Sequence, residues 1–163
     1  MKQQSCYILA IESSCDDTGA SILKDNTVLS NCIANQEIHK SYGGVVPELA
    51  SRAHQSNIVP VVHQALTIAN IEKKDLSAIA YTRGPGLLGS LLVGSSFAKS
   101  LSLSLKIPLI EVNDMQAHLL CHFINDKRII PPKFPFIGVT LSGGHTQIAV
   151  SYTHLTLPTK RIV

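Results

Sequence analysis

Three short apolar runs crowd the first 34 residues, at Tyr7–Glu12, Gly19–Lys24 and Val28–Ala34. None is long enough for a helix, and Lys24-Asp25-Asn26 separates the second from the third as a turn. That spacing predicts a meander of antiparallel hairpins. After a loop-like stretch, Asn35–Val46, which carries Gly43-Gly44, the pattern turns helical. Leu49, Ala53, Ile58, Val61, Val62, Ala65, Leu66 and Ala69 recur at three and four, with Pro47 placed as a first helical residue. Pro60 inside this run predicts a kink or a break into two helices. Strand and helix then alternate. A strand is expected at Ala78–Thr82, a helix at Leu88–Leu105, a strand at Leu109–Val112 and a helix at Met115–Phe123. Two more strands follow, Phe136–Leu141 and Gln147–Ser151. This order predicts an α/β chain, a mixed sheet with helices on its faces, in one domain without linker or repeat.

With 163 residues the chain has room for one domain or one half of a two-lobed protein. A hydrophobic content of 45% excludes a disordered segment. Only 15% of residues are charged, against a usual figure of about 25%. Either some surface is reserved for a partner or a second lobe, or two-sided strands and Ser/Gly-rich helices lower the count. The net charge of +3 and the absence of a basic run longer than Lys73-Lys74 permit nucleic-acid binding without indicating it. Cys6, Cys15, Cys32 and Cys121 show no CxxC spacing, and no secretory pattern precedes the first strand, so reduced thiols in a cytoplasmic protein are expected. The greasiest stretch, Gly86–Ile110, is broken by Ser pairs, Lys99 and Lys106, so no membrane span is expected.

Four segments can carry chemistry. Glu12-Ser13-Ser14-Cys15-Asp16-Asp17-Thr18 gathers hydroxyls, carboxylates and backbone N–H groups between the first two strands. It is either a phosphate or cation loop, with Ser13, Ser14 and Asp16 as its contacts, or a polar hairpin turn bonded to itself. Arg83-Gly84-Pro85-Gly86-Leu87-Leu88-Gly89-Ser90 is a Gly-rich passage from strand to helix, without the Gly-Lys-Ser/Thr of a P-loop. It either admits a ligand to the backbone or is a tight connection with none. Ser142-Gly143-Gly144-His145-Thr146 bares N–H groups suited to a phosphate or acyl-phosphate, or is a plain Gly-Gly hairpin. Asp114, His118 and His122 recur every fourth residue, a file that can hold a metal or simply face solvent. His39, His54, His63 and His154 receive no role from spacing.

Taken together, these segments resemble the tRNA N6-adenosine threonylcarbamoyltransferase family, once labelled O-sialoglycoprotein endopeptidases. The stretches that carry the resemblance are Ile11–Thr18, Gly43–His54, Gly84–Leu91 and Ser142–Thr146, in order and in register over roughly residues 7 to 150. The resemblance implies the N-terminal lobe of an ASKHA fold (actin, Hsp70 and sugar kinases). It implies transfer of a threonylcarbamoyl group from threonylcarbamoyl-adenylate to N6 of adenosine 37 in tRNAs reading codons that begin with A. It assigns adenylate binding to Thr140, Leu141, Ser142, Gly143 and Gly144. It further implies one divalent metal, Fe2+ or Zn2+, held by two His four apart and by an Asp from a second lobe. Implied partners are tRNA, a paralogous subunit of the same fold (TsaB-like) and a small ATPase (TsaE-like), with no membrane.

The chain departs from the family pattern twice. Asp114 stands where the family has the first His of its pair, while His118 matches the second and His122 offers a substitute one turn on. Beyond Val150 the expected Gly-rich run is replaced by residues 151–163, so the lobe is expected to end near 150 with a foreign or disordered tail, before a missing second lobe. That lobe would supply the further metal ligand. A non-catalytic scaffolding paralogue is the main rival reading, since scaffolds of the family lack the metal histidines. A metallopeptidase lacks support, because there is no HExxH motif and no assignable nucleophile–base pair. A generic ATPase of the fold is the last alternative.

Overall fold

The N-terminal meander forms as expected. β1 (Tyr7–Glu12) pairs antiparallel with β2 (Thr18–Lys24), and β2 with β3 (Thr27–Ala34). Asp25, in the left-handed region at φ 53°, turns the chain between β2 and β3, and its carboxylate accepts a hydrogen bond from the Cys6 N–H at 3.0 Å. The structure is a computed structural model that describes residues 5–126, 128, 130–141, 146–151 and 159–161. By contact the chain divides after Asp114 into two units.

The first unit is a five-stranded mixed sheet in the order β3-β2-β1-β4-β5, with β4 (Ala78–Gly84) and β5 (Leu109–Asn113) parallel to β1. β4 runs two residues beyond its predicted end because Gly84 still pairs with Asn113. α1 (Pro47–Ala69) packs on β2 and β3, α2 (Leu88–Leu105) packs chiefly on β4, and the two helices touch each other. Leu9, Ile22 and Ile79 are fully buried beneath them, beside Ile58, Val61, Val62, Ala65 and Leu66 of α1. Each such side chain contributes roughly 1.5–3 kcal/mol relative to exposure.

The break expected at Pro60 does not occur: α1 is one helix of 23 residues. Pro60 lies on its exposed side, where water can hydrate the carbonyl that the missing N–H leaves unbonded. α2 is long and apolar enough, by length and composition alone, to cross a membrane. Here it lies on the sheet through Ser90, Gly94, Ala98 and Ser102, all buried. Leu88, Leu92 and Leu103, on its other side, are 75%, 55% and 80% exposed.

In the second unit, β6 (Phe136–Leu141), β7 (Thr146–Ser151) and β8 (Thr159–Arg161) form an antiparallel three-stranded sheet. Phe123, Phe134 and Phe136 cluster with ring centroids 5.3–5.8 Å apart. α3 (Asp114–Leu120) begins at the boundary and is shorter than predicted, because Cys121–Phe123 tightens into a 3-10 turn. Of the tail expected to be foreign, Ser151 ends β7 and Thr159–Arg161 form β8; the rest lies outside the described residues.

The close fit of α2 to β1 gives a test. A Cβ on Gly94 would collide with the Ser13 hydroxyl and stand 3.2 Å from its Cβ. Alanine elsewhere in a helix gains about 1 kcal/mol over glycine, but overpacking costs about 1–3 kcal/mol and a broken buried hydrogen bond about 1 more. Gly94→Ala is therefore expected to lower the urea midpoint; a raised midpoint would contradict the packing described.

Candidate functional site

Ligands of parallel α/β sheets sit beyond the C-terminal ends of the strands. Here β1, β4 and β5 end at Glu12, Gly84 and Asn113, so the Glu12–Thr18 loop, the Gly84–Gly86 turn and the start of α3 meet one sheet edge. The sequence-predicted loop residues are divided by the fold. Ser13 is 2% exposed and donates its hydroxyl to the Ser90 carbonyl at 2.9 Å. Its side chain ties the loop to α2. Ser14 and Asp16 are half-buried on the loop, and Cys15 and Asp17 are exposed.

The loop is tied down at successive residues. The Ser14 carbonyl accepts the Leu87 N–H at 2.7 Å. Gly86 permits that approach, since a Cβ on it would run into the Ser14 carbonyl and lie 2.9 Å from the Ser14 Cβ. The glycine-rich turn thus makes room for the chain's own loop. The Cys15 carbonyl lies 3.1 Å from both the Ser90 hydroxyl, which donates to it, and His54 Nε2. The Thr18 hydroxyl is 2.7 Å from His54 Nδ1. A carbonyl can only accept, so the ring donates to it through Nε2–H, and in the tautomer carrying that hydrogen alone Nδ1 accepts from the Thr18 hydroxyl. Glu12 folds back on the loop, accepting from the Ser14 N–H and the Thr82 hydroxyl.

Neither side chain best placed for nucleophilic or acid–base work is poised for it. Partial burial, followed by the hydrogen bond and charge of Asp16, pushes the Cys15 thiol up from its ordinary value. The His54 ring engages the Cys15 carbonyl and not its sulfur. Tyr81 donates to Glu111 Oε1 at 2.9 Å, and burial ahead of that carboxylate raises its phenol.

The second unit holds a cavity of about 460 Å³. Its polar lining includes His118, His122 and Thr140, set among Ile137, Val139 and Leu141. Thr140 and Leu141 close β6, paired with Gln147 and Thr146. Ser142, Gly143 and Gly144, which join the two strands, lie outside the described residues. Asp114 and His118 both belong to α3, one turn apart, but His122 falls in the 3-10 turn and leaves the helical file. No group of three or more His, Cys, Asp or Glu side chains that could hold a metal occurs among the described residues. The described residues do not complete a metal centre.

Sequence reasoning gave His54 and Thr82 no role, and named Thr18 and Ser90 only as the last residues of their segments. One signal was present: His54 falls on the buried stripe Ala50, His54, Ile58, Val61, Ala65, the one polar side chain in an apolar file.

The sequence profile of the tRNA N6-adenosine threonylcarbamoyltransferase (TsaD) family matches residues 27–157, running past Val150. Curated relatives of that name include the protein of Christiangramia forsetii, 68% identical over 148 residues, and that of Riemerella anatipestifer, 63% identical over 150. These alignments take in 91% and 92% of this chain but 44% and 43% of the relatives, so the chain spans less than half their length. Among solved structures, YeaZ from Pseudomonas aeruginosa matches with a TM-score of 0.60 at 15% identity, covering 96% of this chain and 65% of that one. The ethanolamine utilization protein EutJ from Carboxydothermus hydrogenoformans matches at 0.56 and 12% identity, covering 95% and 52%. At such identities the likeness concerns the fold alone, and it agrees with the ASKHA arrangement expected from the sequence.

Because the Asp16 carboxylate helps hold the Cys15 thiol up, Asp16→Asn should let more thiolate form below that pKa. Alkylation of Cys15 at pH 7.5, followed by mass spectrometry, is expected to accelerate roughly twofold or more. An unchanged rate would remove Asp16 as a neighbour of the thiol.

Proposed function

The chain belongs to the tRNA N6-adenosine threonylcarbamoyltransferase family, and we propose that, in a protein of its relatives' full length, it forms the lobe that binds threonylcarbamoyl-adenylate for transfer to tRNA. The acceptor is N6 of adenosine 37 in tRNAs reading codons that begin with A. The single observation that carries this reading is the family match over residues 27–157.

The chemistry asks for few protein groups. The donor is a mixed anhydride of a carbamic acid and AMP. The N6 amine attacks its carbonyl carbon, a C–N bond forms, the bond from that carbon to the phosphate oxygen breaks, and AMP leaves with the electron pair. The amine sheds one proton. No protein nucleophile is needed, which accords with the raised Cys15 thiol and with a histidine bonded to a carbonyl. Binding falls to Thr140 and Leu141 at the end of β6 and to Ser142, Gly143 and Gly144 after them, a Ser-Gly-Gly sequence of the kind that suits a phosphate. Ser14 and Asp16 offer contacts at the edge of the first unit.

One divalent metal, Fe2+ or Zn2+, is assigned to His118 and Asp114 with a further ligand from the rest of the protein, since the described residues supply too few donors. The partners are tRNA, a paralogous subunit of the same fold and a small ATPase, and the setting is the cytoplasm. The exposed Leu88, Leu92 and Leu103 of α2 support a protein partner.

The test supplies threonylcarbamoyl-adenylate and tRNA to the full-length protein and measures threonylcarbamoyladenosine by mass spectrometry, with metal content read on the same sample. Modified tRNA, about one metal per chain, and no turnover by residues 1–163 alone are expected. A folded, metal-loaded full-length protein that leaves tRNA unmodified would overturn the function. Full turnover by residues 1–163 would show that the rest of the protein is dispensable.

A further inference from the structure

We propose that His54 is a positioning residue for the Ser13–Thr18 loop, acting on the transfer reaction through the Cys15 carbonyl and the Thr18 hydroxyl without touching substrate. The ring is 0% exposed, yet it sits among apolar neighbours on the core face of α1. A buried imidazole is retained at a cost unless both nitrogens are bonded. Here both are, and both partners belong to one loop: Thr18 at 2.7 Å and the Cys15 carbonyl at 3.1 Å. The loop therefore receives from α1 two bonds that span its second half.

A second helix reaches the same atom. Ser90 of α2 donates to the Cys15 carbonyl, and its own carbonyl receives the Ser13 hydroxyl. Together with the bond from Leu87 to Ser14, these ties hold the loop through the Ser14 and Cys15 carbonyls and the Ser13 and Thr18 hydroxyls. Held from inside through these groups, the loop leaves Cys15 and Asp17 exposed and Ser14 and Asp16 half-buried. The loop begins at the end of β1, on the ligand edge of the sheet. Misplacement of a binding group by about 1 Å can cost about a hundredfold in rate, so a residue that only fixes this backbone can affect catalysis.

The inference rests on the transferase reading, and the test separates the two. In the full-length protein, His54→Leu keeps an apolar volume and removes both bonds. His54→Gln retains an N–H able to reach the Cys15 carbonyl, and Ser90→Ala removes one of the two donors to it. Two readouts are taken well below each variant's melting temperature. The first is kcat/KM for threonylcarbamoyl-adenylate per folded molecule. The second is the alkylation rate of Cys15 relative to Cys6 and Cys121, all three exposed. The expected result for His54→Leu is a fall in kcat/KM of about tenfold or more with several-fold faster Cys15 alkylation. His54→Gln should recover most of both, and Ser90→Ala should show a smaller change in the same direction.

Unchanged kcat/KM and unchanged Cys15 reactivity per folded molecule, whatever the melting temperature, would reduce His54 to a stabilising core residue and overturn the proposal. If the wild-type protein makes no modified tRNA, the function falls, while the Cys15 rates still decide whether His54 holds the loop. Should His54→Leu fail to fold, the comparison of His54→Gln with Ser90→Ala decides: equal behaviour to wild type in both would overturn it.

Discussion

One backbone carbonyl, that of Cys15, joins the two helices of the first unit to the loop at the end of β1. His54 reaches it from α1 and Ser90 from α2, each at 3.1 Å. Without those donors a carbonyl drawn inward would remain unpaired, a loss of about 1–3 kcal/mol for a buried group. With them, the loop is held at several residues, and Cys15 and Asp17 stay exposed beyond the end of β1. Gly86 and Gly94 belong to the same constraint, since a side chain at either would push Ser14 or Ser13 out of place. The sheet order and the helix packing supply a platform, and these polar ties locate the loop upon it.

Much of this platform was readable from the residues. Spacing alone gave β1 to β3, because short runs with intervening turn residues admit few other structures, and helix α2 was read with both its ends. Local rules failed where a neighbour decided the outcome. Pro60 did not break α1, because its face of the helix meets solvent and not the sheet. α3 ended early, at Leu120, where the backbone tightened and carried His122 out of line with His118. The loop tie was invisible for a different reason. His54 lies 39 residues from Cys15 and 36 from Thr18, and only folding brings them together. The family resemblance placed His54 in a matching stretch but gave it no task.

The low charge noted in the sequence now has a location. Leu88, Leu92 and Leu103 leave one side of α2 apolar, and Ile137, Val139 and Leu141 do the same for β6. Apolar surface of that kind accords with relatives more than twice as long as the matched span.

The central claim is the proposal that residues 140–144, from the end of β6 onward, bind the adenylate. Hydrogen exchange on the full-length protein, with and without a non-reactive analogue of threonylcarbamoyl-adenylate, tests it most directly. Slowed exchange of the backbone amides of residues 140–144 is the predicted result. Protection confined to other parts of the molecule, with these residues unchanged, would contradict it.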